Sequence, residues 1–99
     1  MNSIIQDLNK TFESRVRLGI MSALVVNESL DFTSLKESLN VTDGNLSSHI
    51  ASLESEGYVK VKKEFVGKKP QTTYSVTAAG GRAFADHLDA LEKLIKQTQ

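Results

Sequence analysis

The hydrophobic period of this chain changes at Gly57, and that change limits what it can fold into. Upstream, Leu46, Ile50 and Leu53 are spaced by four and three, so they share one helix face, and Gly57 follows as a C-terminal stop. Downstream, Val59, Val61 and Phe65 fall on one parity and Lys60, Lys62 and Glu64 on the other, the pattern of a half-buried strand. Gly67-Lys68-Lys69-Pro70 interrupts it. Thr72-Thr73-Tyr74-Ser75-Val76, β-branched and aromatic, is predicted to return antiparallel and leave the lysines at the tip of a hairpin. A helix of about Asp43 to Glu56 therefore feeds directly into a basic β-hairpin.

The remaining elements follow from the same patterns. Between Ile4 and Asn27, apolar residues from Ile4, Ile5, Leu8 and Phe12 to Leu24 and Val25 recur mostly at three- and four-residue steps, which predicts one long helix or two broken ones. Leu30-Asp31-Phe32 is a short extended piece. Thr33 to Leu39 is a helix of about two turns, capped by Ser34 in a capping box with Glu37 or by Thr33. Thr42 is positioned to cap the next helix, and Asp43 favours its positive end. Thr77 is positioned to cap a last helix with an apolar stripe of Phe84, Leu88, Leu91 and Ile95, of which Phe84 and Leu88 are expected to cover the core. Gly80 and Gly81 weaken its first turns.

Ninety-nine residues, 39% hydrophobic and 24% charged, predict a single domain over 1–99 with one modest core. The absence of cysteine removes disulfides, thiolate metal sites and thiol redox chemistry. Met1-Asn2-Ser3-Ile4-Ile5 is not a basic leader before an apolar run, and no stretch is apolar enough to span a bilayer, so a cytoplasmic protein is expected. His49 and His87 are the only histidines, with no ligand spacing between them, so no metal is expected. Ser47, Ser48 and His49 are adjacent on a helix and do not face one another as a catalytic set would. Neither form of phosphate-binding glycine loop is present. The chain is accordingly expected to be neither an enzyme nor a cofactor carrier.

Twelve basic and twelve acidic residues cancel, so any electrostatic role rests on where the charges lie. Five lysines, Lys60, Lys62, Lys63, Lys68 and Lys69, gather around the hairpin against one acid, Glu64. Burying Leu46, Ile50 and Leu53 turns Gly44, Asn45, Ser48, Ala51 and Ser52 outward, with Ser47 on the flank. Such a face suits the major groove: Asn pairs with adenine edges, Ser donates to bases or phosphates, and Gly or Ala permits close approach. Lysines at a hairpin tip suit phosphate contact. Taken singly, the serines read equally as a solvated face and the lysines as a guard against edge pairing; the order of the elements favours DNA.

The run Thr42-Asp43-Gly44-Asn45-Leu46-Ser47-Ser48-His49-Ile50, through Leu53-Glu54-Ser55-Glu56-Gly57-Tyr58-Val59, then Lys63 to Pro70 and Thr72 to Thr77, resembles small winged helix-turn-helix regulators related to the MarR and ArsR families. It is most similar to single-domain members that pair an L-S-x-H-I/L recognition helix with a G-K/R-K/R-P wing. The resemblance implies a mainly helical fold with a small β-hairpin, in the order α-β-α-α-β-β-α. It implies a transcriptional regulator of double-stranded DNA, with recognition helix 43–56 in the major groove and wing 65–71 on the backbone or minor groove. Thr42, Asn45, Ser47, Ser48, Ser52, Lys63, Lys68 and Lys69 are then the DNA-binding candidates, with Arg15, and Arg17 beside it, as phosphate contacts. It also implies a homodimer, for which Ile4, Ile5, Leu8, Leu91, Leu94 and Ile95 are the candidate residues. The chain departs from the pattern in having no arginine on the recognition face and no net positive charge. The alternative is a winged-helix protein-interaction module that does not bind DNA. The sequence names no small-molecule effector.

Overall fold

Capping residues set where the helices begin and end in the computed structural model, which describes residues 5–97. The order is a 3-10 turn (Lys10–Phe12), α1 (Arg15–Val25), β1 (Leu30–Asp31), α2 (Phe32–Leu39), α3 (Asp43–Ser55), β2 (Val59–Val66), β3 (Lys69–Val76) and α4 (Ala78–Gln97). Ser14, in extended conformation, accepts a hydrogen bond from the Arg17 amide and starts α1, so the N-terminal periodic stretch is broken after Phe12. Thr42 caps α3 by accepting from the Asn45 amide at 3.2 Å. Asn40 ends α2 in the left-handed conformation at φ 53°, which Asn tolerates better than most residues.

The cap of α2 is neither Thr33 nor Ser34. Asp31 accepts from the Ser34 amide at 2.7 Å, because β1 is only two residues long and the helix begins immediately at Phe32. Hydrogen bonds from the Ser34 amide and hydroxyl hold the Asp31 carboxyl below its ordinary value of 3.8; burial opposes them and a bond from Gln71 adds to them. A lowered carboxylate pKa stabilises the fold above the unfolded value, and that contribution is lost as pH falls through the folded one. Asp31→Ala should therefore lose about 1 kcal/mol at neutral pH. In urea melts the difference from wild type should shrink on acidification, while Asp31→Asn should keep most of the cap.

The sheet is antiparallel in the order β1-β3-β2. Leu30 and Asp31 pair with Tyr74 and Thr73 of β3, and β2 pairs with β3 from Val59↔Val76 to Val66↔Lys69. Val66 and Lys69 flank a two-residue turn, Gly67-Lys68, in which only Gly67 has positive φ, at 67°. That is the type II′ pattern, whose twist matches the strands it joins. Pro70 lies beyond the reach of β1, where β3 is itself an edge and a missing amide proton does no harm. Only the base of the hairpin covers the core. Val59 is buried and Val61 half-buried, but Phe65, expected on the half-buried face, is 73% exposed because the strands run past the helices.

The core joins Phe12, Ile20, Met21, Leu24, Leu35, Leu46, Ile50, Leu53, Val59, Tyr74 and Phe84. Burial, and secondarily the charge of Glu54, push the Tyr74 phenol above its ordinary value, so it stays neutral. Phe12 contacts three rings, those of Tyr58, Phe84 and His87, at centroid distances of 5.4, 5.5 and 5.4 Å. The buried line of α4 is Gly80, Phe84, His87 and Ala90. Leu88, expected in the core with Phe84, is 48% exposed, because His87 takes the inward position. There His87 Nδ1 accepts from the Asn9 amide at 3.0 Å, and the Asn9 side chain donates to the Tyr58 hydroxyl.

The start of α4 is fixed by Thr77. Its hydroxyl accepts from the Gly80 amide at 2.9 Å and donates to the Gly57 carbonyl at 2.6 Å, while its own amide donates to the Tyr58 carbonyl. This brings Gly80 against the Tyr58 backbone. A Cβ there would lie 2.8 Å from the Tyr58 carbonyl carbon and closer still to its oxygen. The glycine that weakens the helix locally is thus needed for close approach. Gly80→Ala should destabilise the protein by about 1–3 kcal/mol, read as a lowered thermal midpoint, despite the better helix propensity of alanine. Gly81→Ala, with open space around its Cβ, should not. Among the described residues, no helix is long and apolar enough to cross a membrane.

Candidate nucleic-acid interface

The buried line Leu46, Ile50, Leu53 seats α3 on the core and decides which side chains face out. Gly44, Asn45, Ser47, Ser48 and Ala51 are exposed and Ser52 is half-buried. The Ser52 hydroxyl donates back to the Ser48 carbonyl at 3.2 Å, and the Thr42 hydroxyl is engaged as the cap. The Asn45 amide and the hydroxyls of Ser47 and Ser48 are presented at the surface, Asn45 and Ser48 one turn apart on one face and Ser47 on the flank.

Two side-chain contacts tie this helix to its neighbours, one across the turn and one long-range. Lys36 of α2 and Asp43 at the start of α3 are 2.7 Å apart, an exposed pair bridging the turn. Arg17 of α1 donates through Nε to His49 Nδ1 at 3.0 Å and through its guanidinium to the Thr11 carbonyl at 3.3 Å. Because His49 Nδ1 is the acceptor, its ring proton is on Nε2. These bonds tie Arg17 of α1 to α3 and to the segment before α1. Sequence spacing could not signal the pair, since its members are 32 positions apart on different helices. Arg15, two residues earlier, is exposed and lines an open depression with Val16, Leu39, Asn40 and Val41, beside the turn between α2 and α3.

The hairpin follows α3 after Glu56, Gly57 and Tyr58. Lys60, Lys62, Lys63, Lys68 and Lys69 are all exposed. Lys62 lies 3.5 Å from Glu64, and no other lysine of the hairpin is in an ion pair among the described residues. Of the dimer candidates, Ile4 lies outside the described residues. Ile5 and Ile95 are exposed, and Leu8, Leu91 and Leu94 are half-buried.

Three helices carrying a helix-turn-helix, with a small polar face on its second helix and a lysine-edged hairpin directly after it, define a winged helix of the DNA-binding class. The chain belongs to the winged helix DNA-binding domain family, whose model matches residues 16–95. It is 37% identical over 90 residues to an uncharacterised protein of Methanocaldococcus jannaschii, an alignment covering 91% of this chain and 98% of that protein. Its fold is similar to that of a transcriptional regulator homologue from Pyrococcus horikoshii, with TM-score 0.82, 32% identity, and coverage of 97% of this chain and 93% of that one. A MarR-family regulator from Enterococcus faecalis shares the fold at TM-score 0.71 and 22% identity, over 89% of this chain and 76% of that one. Family and fold are those of transcriptional regulators.

Proposed function

We propose that this protein is a cytoplasmic, sequence-specific regulator that binds double-stranded DNA as a homodimer of one winged-helix domain per chain. In this role α3 enters the major groove, with Asn45, Ser47, Ser48 and Ser52 toward base edges and Thr42 at its entrance. Lys63, Lys68 and Lys69 hold phosphates from the wing, and Arg15 adds a contact beside the turn. The observation that carries this reading is the exposed polar face of α3 continuing directly into the lysine-bearing hairpin. The dimer is supported by Leu88, 48% exposed on α4 one turn before half-buried Leu91, an apolar strip that a second copy of the helix would cover.

Selection from a random duplex pool, followed by gel shift against competitor DNA, tests the reading. Asn45→Ala and Ser48→Ala should each cost about 1–3 kcal/mol on the selected site and relax discrimination at one or two base pairs, with melting temperature unchanged. Light scattering at micromolar concentration should give twice the chain mass, and Leu88→Glu should lower it. Variants that bind selected and scrambled duplexes in the wild-type ratio would refute the assignment of base contacts. Salt-insensitive binding to a protein partner, with no duplex binding, would make this an interaction module instead.

A further inference from the structure

We propose that the tip of the wing is an apolar wedge, formed by Phe65 and its cross-strand partner Pro70, that enters the minor groove and partly unstacks a base step. The inference rests on the DNA-binding role and adds to it a bent duplex. Phe65 is 73% exposed, Val66 beside it is 59% exposed, and Pro70 is exposed as well. Phe65 and Pro70 are paired in register on the face that carries Val59 and Val61 at the base. No element of the fold covers this end, since β1 stops opposite Tyr74 and Thr73.

Charge identifies the occupant. Lys63, Lys68 and Lys69 lie within two residues of the apolar pair, and the one acid beside it, Glu64, already faces Lys62, so the surface around the pair attracts a polyanion. An aromatic residue and a proline at the end of a narrow two-stranded ribbon have the chemistry of side chains that wedge between base steps from the minor groove. The reach is sufficient: from Val61, the last residue touching the core, to Val66 is about 17 Å at 3.3–3.4 Å per residue. That is roughly half a helical turn of duplex, the step from a major groove to its neighbouring minor groove.

The test uses a duplex recovered by the wild-type protein from a random pool, with donor and acceptor dyes at its ends and a fluorescent adenine analogue at its flexible pyrimidine–purine steps. Wild type should raise energy transfer and unquench the analogue at one step. Phe65→Ser should bind within about tenfold of wild type with the same salt slope, because unstacking cost and wedge contact largely offset, yet lose both optical signals. Phe65→Leu should keep them. The side chain is exposed, so thermal melting should be unchanged in both variants. If Phe65→Ser bends and unquenches like wild type, the wedge is wrong while the DNA-binding role stands. If no duplex is bound at all, both fall. Binding to anionic phosphatidylglycerol vesicles that needs Phe65, without duplex bending, would assign the tip to a membrane surface and overturn the proposal. A drop in mass for Phe65→Ser in light scattering would assign it to contact between copies and do the same.

Discussion

Phe12→Ala is expected to destabilise the protein by about 3–5 kcal/mol, the range for removing a fully buried phenylalanine. Phe12 is fully buried and touches Tyr58 after α3, and Phe84 and His87 on α4. It therefore closes the joint between the N-terminal turn, the base of the hairpin and the last helix. Domains of this size are stable by about 5–15 kcal/mol, so the loss is a large fraction of the total. Urea denaturation should show a lower midpoint with an unchanged slope, and Phe12→Leu should recover most of it. Amide exchange in the first half of α4 should accelerate most, since Phe84 and His87 lose a shared neighbour. A loss below about 1 kcal/mol would mean that the cavity collapses and that the joint is held by something else.

Lys68→Ala combined with Lys69→Ala should weaken binding to every duplex, selected or scrambled, and flatten its salt dependence. If each lysine holds one phosphate, the slope of log affinity against log salt should fall by about 1.8, from roughly 0.9 per contact. Between about 50 and 200 mM salt the wild type should then lose about tenfold more affinity than the double variant. Both residues flank the tip and make no ion pair among the described residues, so thermal melting should be unaffected. An unchanged slope would remove the wing lysines from the interface. The double variant and the α3 variants should separate two tasks: the first is expected to change affinity evenly, the second to change which sequence is preferred.

What the sequence disclosed was mostly local. Thr42 and Thr77 cap the helices they precede, and the spacing of Leu46, Ile50 and Leu53 picks out the buried face of α3, because both signals depend on residues within a turn or two. The same local logic fails where tertiary structure decides. Ser34-x-x-Glu37 has the spacing of a capping box, but the two-residue β1 delivers Asp31 to the cap first. Period two along β2 marks Phe65 as inward, and inward it points, yet the hairpin outruns the helices and nothing lies beneath it. Leu88 lies on the apolar stripe of α4, but His87 finds a hydrogen bond from Asn9 and an aromatic neighbour in Phe12, and a buried polar ring so satisfied can displace a leucine. The tie between Arg17 and His49 spans two helices, and no periodicity encodes it. For the residues proposed to face DNA, periodicity picks out the exposed side of α3, because that too is a local signal.

Thr77 has a mechanical consequence. One hydroxyl and one amide fasten the start of α4 to Gly57 and Tyr58, the two residues just before the hairpin, so α3 and the last helix share a single hub. A 20-residue helix is about 30 Å long. Acting as a lever about that hub, a tilt of about 5° at its far end corresponds to a displacement of roughly 3 Å over its length. In a dimer joined through α4, the spacing between the two reading helices would be set by the angle at which the levers cross. A signal that altered that angle would take the pair out of step with successive major grooves without touching the surface proposed to face DNA.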